Sequence, residues 1–246
     1  MKFAAPMGFD MHLMLQGGCQ QADYREMLMP AIKLLVADDH EVVRKGFRAI
    51  LEAQRDCEVV GEAGDGRRAV EMARELRPDI VVLDVSMPHL NGLEAARQIL
   101  KSRPQTKILI LTMHESDSLI REVLDTGARG YILKSDAGHD LVSAVEALRM
   151  NKTFFTSRVT QMILDGYLKG DPRPAESELA RDRLTPRQRE IVQLLAEGKS
   201  SKEIAVALGL SVKTAETHRA NIMRKLDCHS VSEVVRYAIR NKIIDA

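Results

Sequence analysis

A chain of 246 residues has room for two small domains, each able to bury its own core. The net charge of +1 conceals a split: residues 31–151 carry 17 Lys+Arg against 20 Asp+Glu, and residues 183–246 carry 12 against 7. The 3 cysteines, Cys19, Cys57 and Cys228, are too widely spaced for a disulfide framework or a zinc site, which suits a reducing cytoplasm, and no apolar run approaches the ~20 residues needed to cross a bilayer.

Residues 1–30 are rich in Met and small residues, with Gly17-Gly18 in the middle and neither the apolar core nor the cleavage site of a signal peptide. They are expected to be a disordered extension, with translation starting at Met27 or Met29. Ile32–Ala37 reads as an aliphatic strand ending on Asp38-Asp39. Residues 40–53 place Val42, Val43, Phe47, Ile50 and Leu51 on one helical face. His40, at the turn into that helix, reads as an exposed polar residue rather than a phosphohistidine. Glu58–Gly61 reads as a second strand, and Gly64-Asp65-Gly66 as the turn into a helix ending near Leu76.

Ile80–Leu83 is a β-branched and aliphatic run of the kind buried on both faces of a parallel sheet, and it ends on Asp84. Met87-Pro88 and Asn91-Gly92 then force a turn before a helix over Leu93–Leu100. Lys107–Leu111 is a strand ending on Thr112. A helix over Ser118–Asp125 closes at Gly127, a strand over 129–133 ends on Lys134, and a helix over Asp140–Arg149 carries the stripe Leu141, Val145 and Leu148. Five strands alternating with helices predict a doubly wound parallel sheet. Phe154–Leu168 is expected to be one helix bearing Val159, Met162, Ile163 and Tyr167, and Gly170–Pro174 breaks it.

Thr185-Pro186 opens a helix whose core face is Ile191, Val192, Leu194 and Leu195, with Gly198 as its stop. Ser200 or Ser201 caps a short helix over Lys202–Leu208, and Gly209-Leu210-Ser211 turns into a helix over Val212–Leu226. Two short helices joined by a glycine turn predict a helix-turn-helix. In the second of them Ala215, His218, Ile222 and Leu226 share the inner side, with His218 read as structural. A last helix over Val231–Ile239 presents Val231, Val234, Val235, Ala238 and Ile239.

Strand ends in an open α/β sheet face the ligand crevice. Here they deliver Asp38 and Asp39, Asp84, Thr112 and Lys134, a set suited to phosphoryl transfer onto a carboxylate. Crowded acids repel one another unless a hard cation with oxygen ligands binds, so Mg²⁺ (or Mn²⁺) is the expected ion. The cation and the ammonium would neutralise the transferring group while the Asp attacks.

On these residues, 31–150 resemble the receiver domain of two-component response regulators, and 183–246 resemble the helix-turn-helix output domain of the LuxR, or NarL/FixJ, type. The resemblance implies a flavodoxin- or CheY-like α/β domain with a five-stranded parallel sheet, an all-α LuxR-type domain, and residues 151–182 between them as a linker with a docking helix. It implies that Asp84 is the phosphoacceptor and that Asp38, Asp39, Asp84 and the Ser86 backbone carbonyl hold the metal. Thr112, Tyr131 and Lys134 then form the switch and phosphate-binding set, with the Tyr131 ring expected to fill the space Thr112 vacates. Met113, Ser86 and His114 are expected to tune phosphate loss.

In the output domain the resemblance puts Glu216, Thr217 and Ala220 at base-facing positions, with Lys213, Thr214, Arg224 and Lys225 as further DNA contacts. The implied partners are a sensor histidine kinase, double-stranded DNA, RNA polymerase and a second copy of the chain upon phosphorylation, with no membrane and no enzymatic turnover. Two rival readings are a constitutive dimerisation module carrying a DNA reader, and an Asp-nucleophile phosphohydrolase. The latter usually has a second Asp two residues on, where this chain has Ser86.

Overall fold

A computed structural model describes residues 31–113, 116–168, 184–241 and 243–244. The extension over 1–30, the Gly170–Pro174 break and His114 lie outside the described residues.

Five strands, β1 (Ile32–Ala37), β2 (Cys57–Ala63), β3 (Ile80–Asp84), β4 (Lys107–Thr112) and β5 (Gly130–Leu133), pair in parallel in the order β2-β1-β3-β4-β5. The helices that connect them are α1 (Glu41–Glu52), α2 (Gly66–Leu76), α3 (Gly92–Ser102) and α4 (Asp117–Thr126), and α5 (Ala137–Arg149) follows β5. Every residue of β3 is buried, as an uninterrupted aliphatic run at the sheet centre requires. One apolar layer, containing Leu35, Leu83, Ile99 and Ile110, covers one sheet face; a second, containing Leu34, Phe47, Leu109 and Leu141, covers the other. Strand order reverses between β1 and β3, so the crevice of the fold opens where those two strands end.

Local chemistry sets the helix starts. Asp65, Asn91 and Ser116 each accept a hydrogen bond from the backbone N–H three residues on, and Gly127 closes α4 in the left-handed region at φ 85°. The helix expected from Asp140 begins earlier, at Ala137. Val42 is 85% exposed, against the inward position expected from its sequence. At ~100° per residue it lies about 140° around α1 from the buried Phe47, outside the stripe that faces the sheet.

Phe154 also departs from expectation. It does not begin a helix: its carbonyl accepts from Tyr131 N (2.8 Å) and its N–H donates to the Arg129 carbonyl (3.0 Å), an extended pairing beside β5. The helix α6 (Ser157–Leu168) starts after it and sends Val159 into the first apolar layer.

The C-terminal bundle comprises α7 (Pro186–Ala196), α8 (Ser201–Leu208), α9 (Val212–Lys225) and α10 (Val231–Arg240) around Ile191, Leu195, Ile204, Ile222, Val234 and Ala238. Both α7 and α8 begin with capping boxes, Thr185/Gln188 and Ser200/Glu203, which satisfy two orphan backbone donors reciprocally at each end. Gly209 turns α8 into α9 at φ 63°.

Candidate functional site

Asp38 follows β1 and Asp84 ends β3, so the strand-order reversal brings the two carboxylates to one crevice. Lys134, just past β5, reaches both: its Nζ lies 2.8 Å from Asp38 Oδ2 and 2.9 Å from Asp84 Oδ2. Asp38 is fully buried, Asp84 is 2% exposed, and Asp39 stands at the rim. Thr112, at the end of β4, is buried, and its carbonyl accepts from Lys134 N at 2.8 Å, which ties the two strand ends together. The Tyr131 ring is wholly buried in the first apolar layer, so it already occupies the interior in this structure.

Burial pushes the Asp84 carboxyl up to about 6 from the usual 3.8. Lys134 and the Ser86 backbone N–H pull against that rise, and the Asp38 charge adds to it. For Lys134, burial works to lower the ammonium, but Asp38 and Asp84 outweigh it and hold its pKa above the ordinary lysine value. Three carboxylates against one buried ammonium leave surplus negative charge.

The residues fit a hard cation. Buried Asp38 pairs through Oδ2 with the Lys134 ammonium at 2.8 Å, and ligand atoms of Asp38, Asp39 and His40 lie within 4.8 Å of one another. Carboxylate oxygens suit Mg²⁺ or Mn²⁺ better than imidazole does. His40 instead sets its Nδ1 2.8 Å from Asp39 Oδ1 and donates its backbone N–H to Asp38 Oδ1 (2.9 Å).

The loop from Val85 to Asn91 folds back on the end of β3. Gly92 N donates to the Val85 carbonyl at 2.9 Å, and a Cβ on Gly92 would stand 1.9 Å from the Asp84 carbonyl oxygen. A Cβ on Gly66 would meet the Leu90 carbonyl at the same 1.9 Å. Two helix-start glycines thus let backbone pack against backbone around the phosphoacceptor candidate.

The candidate DNA face is separate. Lys213, Thr214, Glu216, Thr217, Ala220 and Arg224 are exposed along α9, and Lys225 is half-buried. Ser211 caps α9 by accepting from Thr214 N, and the Thr217 hydroxyl donates to the Lys213 carbonyl at 2.9 Å. Ala215 and Ile222 face the bundle core, with His218 half-buried.

Sequence reading missed the polar stripe Glu190, Gln193 and Glu197 on α7 and its C-cap. Gln193 is 1% exposed and Glu190 7%, against the α3 side of the sheet domain. Gln98 Nε2 donates to Glu190 Oε1 (2.7 Å), and Arg189 Nη1 donates to Glu122 Oε2 on α4 (2.7 Å). The spacing i, i+3, i+7 was visible in the chain, since those residues form one helical stripe beside an apolar face.

Comparison with known proteins gives a consistent picture. The response regulator receiver domain family matches residues 34–146, and the family of bacterial regulatory proteins, luxR family, matches residues 182–238. The chain is 41% identical over 216 residues to the oxygen regulatory protein NreC of Staphylococcus carnosus, covering 87% of this chain and 100% of that protein. It is 37% identical over 214 residues to the transcriptional regulatory protein LiaR of Bacillus subtilis, with the same coverage. The response regulator RcsB of Salmonella typhimurium superposes with a TM-score of 0.57 at 28% identity, covering 85% of this chain and 97% of that one. A structure of an RcsB–DNA complex superposes at 0.51 with 30% identity, covering 84% and 97%.

Proposed function

This chain belongs to the response regulators that join a receiver domain to a LuxR-type DNA-binding domain, the NarL/FixJ type, and on that footing we propose that phosphorylation of Asp84 controls its transcriptional output. The observation that carries this reading is the convergence of Asp84, Asp38 and Lys134, with Nζ 2.9 Å from the Asp84 carboxylate. A carboxyl titrating at about 6 is mostly ionised at neutral pH, so Asp84 is available as a nucleophile. It takes the phosphoryl group from a phosphohistidine of a sensor kinase: the P–N bond breaks as the Asp84 O–P bond forms. Asp38, Asp39, Asp84 and the Ser86 carbonyl would hold Mg²⁺ or Mn²⁺, which when bound supplies charge neutralisation at the phosphoryl oxygens. Lys134 contributes fixed positive charge on the same oxygens, and Thr112 and Tyr131 respond to the group's arrival.

We take 31–150 as the receiver, 151–182 as linker and docking helix, and 183–246 as the output domain. In the last, Lys213, Arg224 and Lys225 anchor phosphates, Glu216, Thr217 and Ala220 face base edges, and Thr214 is a further DNA contact. The protein works in the cytoplasm as a phosphorylation-dependent homodimer addressing RNA polymerase from a paired DNA site, and it does not turn over a substrate. Intact-mass analysis after incubation with acetyl phosphate and Mg²⁺ tests the reading. The chain should gain one phosphoryl group and shift toward dimer, and Asp84→Asn should do neither. Equal labelling of the variant would place the phosphoacceptor elsewhere.

A further inference from the structure

The loop that begins at Val85 and carries the Ser86 carbonyl is not completed by its own domain. Its alternating residues Met87, His89 and Asn91 hand backbone groups to two side chains one helical turn apart on the C-terminal domain. Gln193 Nε2 donates to the Met87 carbonyl and Gln193 Oε1 accepts from Asn91 N–H, both at 2.8 Å. Glu197 Oε1 accepts from His89 N–H at 2.9 Å, and from Gln193 Nε2 at the same distance, which fixes the orientation of the Gln193 amide. Asn91 is itself 2% exposed and caps α3. His89 stands at φ 65°, a left-handed conformation that a non-glycine residue holds only when its surroundings impose it.

We propose that Gln193 is a positioning residue for the phosphoacceptor site: the DNA-binding domain braces the loop at Met87 and Asn91, and so presets the adjoining Ser86 peptide and Asp84 for metal and phosphoryl binding. The inference rests on the assignment of Asp84 given above. The chemistry favours a bracing role over simple adhesion. An amide at 1% exposure that spans two backbone groups on one loop leaves them little freedom to separate, and a loop already ordered need not be ordered at the expense of ligand affinity. The bracing leaves the candidate DNA face uncovered, since Lys213, Glu216, Thr217 and Ala220 remain exposed. By reciprocity, whatever loads Asp84 must favour the braced contact by the same factor that the contact favours loading.

The test uses the full chain and the near-isosteric Gln193→Met, which keeps the side chain's bulk while removing both hydrogen bonds to the loop and the one to Glu197. Mg²⁺ affinity and Mg²⁺-dependent beryllofluoride affinity are measured by calorimetry, alongside amide hydrogen exchange over residues 84–92. Gln193→Met should weaken both affinities about 3- to 10-fold and speed exchange at Asn91 N–H, with the helical signal unchanged. Arg189→Ala, which removes a domain contact away from the loop, should have a smaller effect on both readouts. Affinities that are unchanged or tighter in Gln193→Met overturn the proposal while leaving Asp84 in its role. Beryllofluoride binding that survives Asp84→Asn in an otherwise unaltered chain would instead overturn the Asp84 assignment, and this inference with it.

Discussion

Replacing Asp84 by Asn should make the metal-free protein more stable at neutral pH, although Asp84 touches a lysine. Burial holds this carboxyl at about 6 in the folded chain, against 3.8 ordinarily. A folded-state value above the unfolded one means that folding favours the protonated form. Stability therefore falls as pH rises from about 4 to about 6, and the whole cost persists above that window. At about 1.36 kcal/mol per pH unit, the gap amounts to about 3 kcal/mol at pH 7.5. The substitution would remove that cost and forfeit the contact with Lys134, whose Nζ still has Asp38 at 2.8 Å. A net gain of about 1–3 kcal/mol is expected, or about 3–9 °C in Tm for domains of this size.

Thermal unfolding followed by circular dichroism in EDTA at pH 7.5 and pH 5 provides the assay. The advantage of the variant should shrink at pH 5, where the native Asp84 is largely protonated, and Mg²⁺ should raise the Tm of the unsubstituted chain more than that of the variant. An Asp84→Asn protein that is less stable in EDTA at pH 7.5, or an advantage independent of pH, would refute the reasoning that buried charge dominates the site.

Lys134→Ala removes the ammonium and leaves Asp38 and Asp84 buried together, so urea denaturation in EDTA should show a loss of about 3 kcal/mol that saturating Mg²⁺ partly restores. Gly92→Ala drives a methyl into the Asp84 carbonyl and should cost about 3 kcal/mol or more on the same denaturation curve; a change under about 1 kcal/mol would mean that the loop yields easily. Lys213→Ala and Arg224→Ala should each weaken DNA binding alike across sequences and flatten the log–log salt dependence by about 0.9 in an anisotropy titration. Glu216→Ala should instead change which sequence is preferred, with the salt slope held.

The strands were legible because aliphatic runs ending abruptly on polar residues have few alternatives, and the same ends supplied Asp38, Asp84, Thr112 and Lys134. The Gly64-Asp65-Gly66 turn, Thr185-Pro186 and the Ser200 cap placed their helix starts within about a residue. What escaped was non-local. Val42 looked like a core residue because a short apolar cluster does not show which arc of the helix meets the sheet. Phe154 pairs with the chain beside β5 through its backbone, which no side-chain periodicity records. Glu190 and Gln193 carry no local mark of a role, because their partners come from a loop and a helix far upstream.

Among the described residues the apolar layers around the sheet and the one within the bundle remain separate, and amides, carboxylates and guanidinium groups form the contacts named above between the two domains. Parting such a seam wets surface that is already hydrophilic. The heat-capacity change on opening should therefore be small, because that quantity tracks newly hydrated hydrocarbon. The closure should instead respond to ionic strength, because a charge pair across the seam such as Arg189–Glu122 is screened by salt.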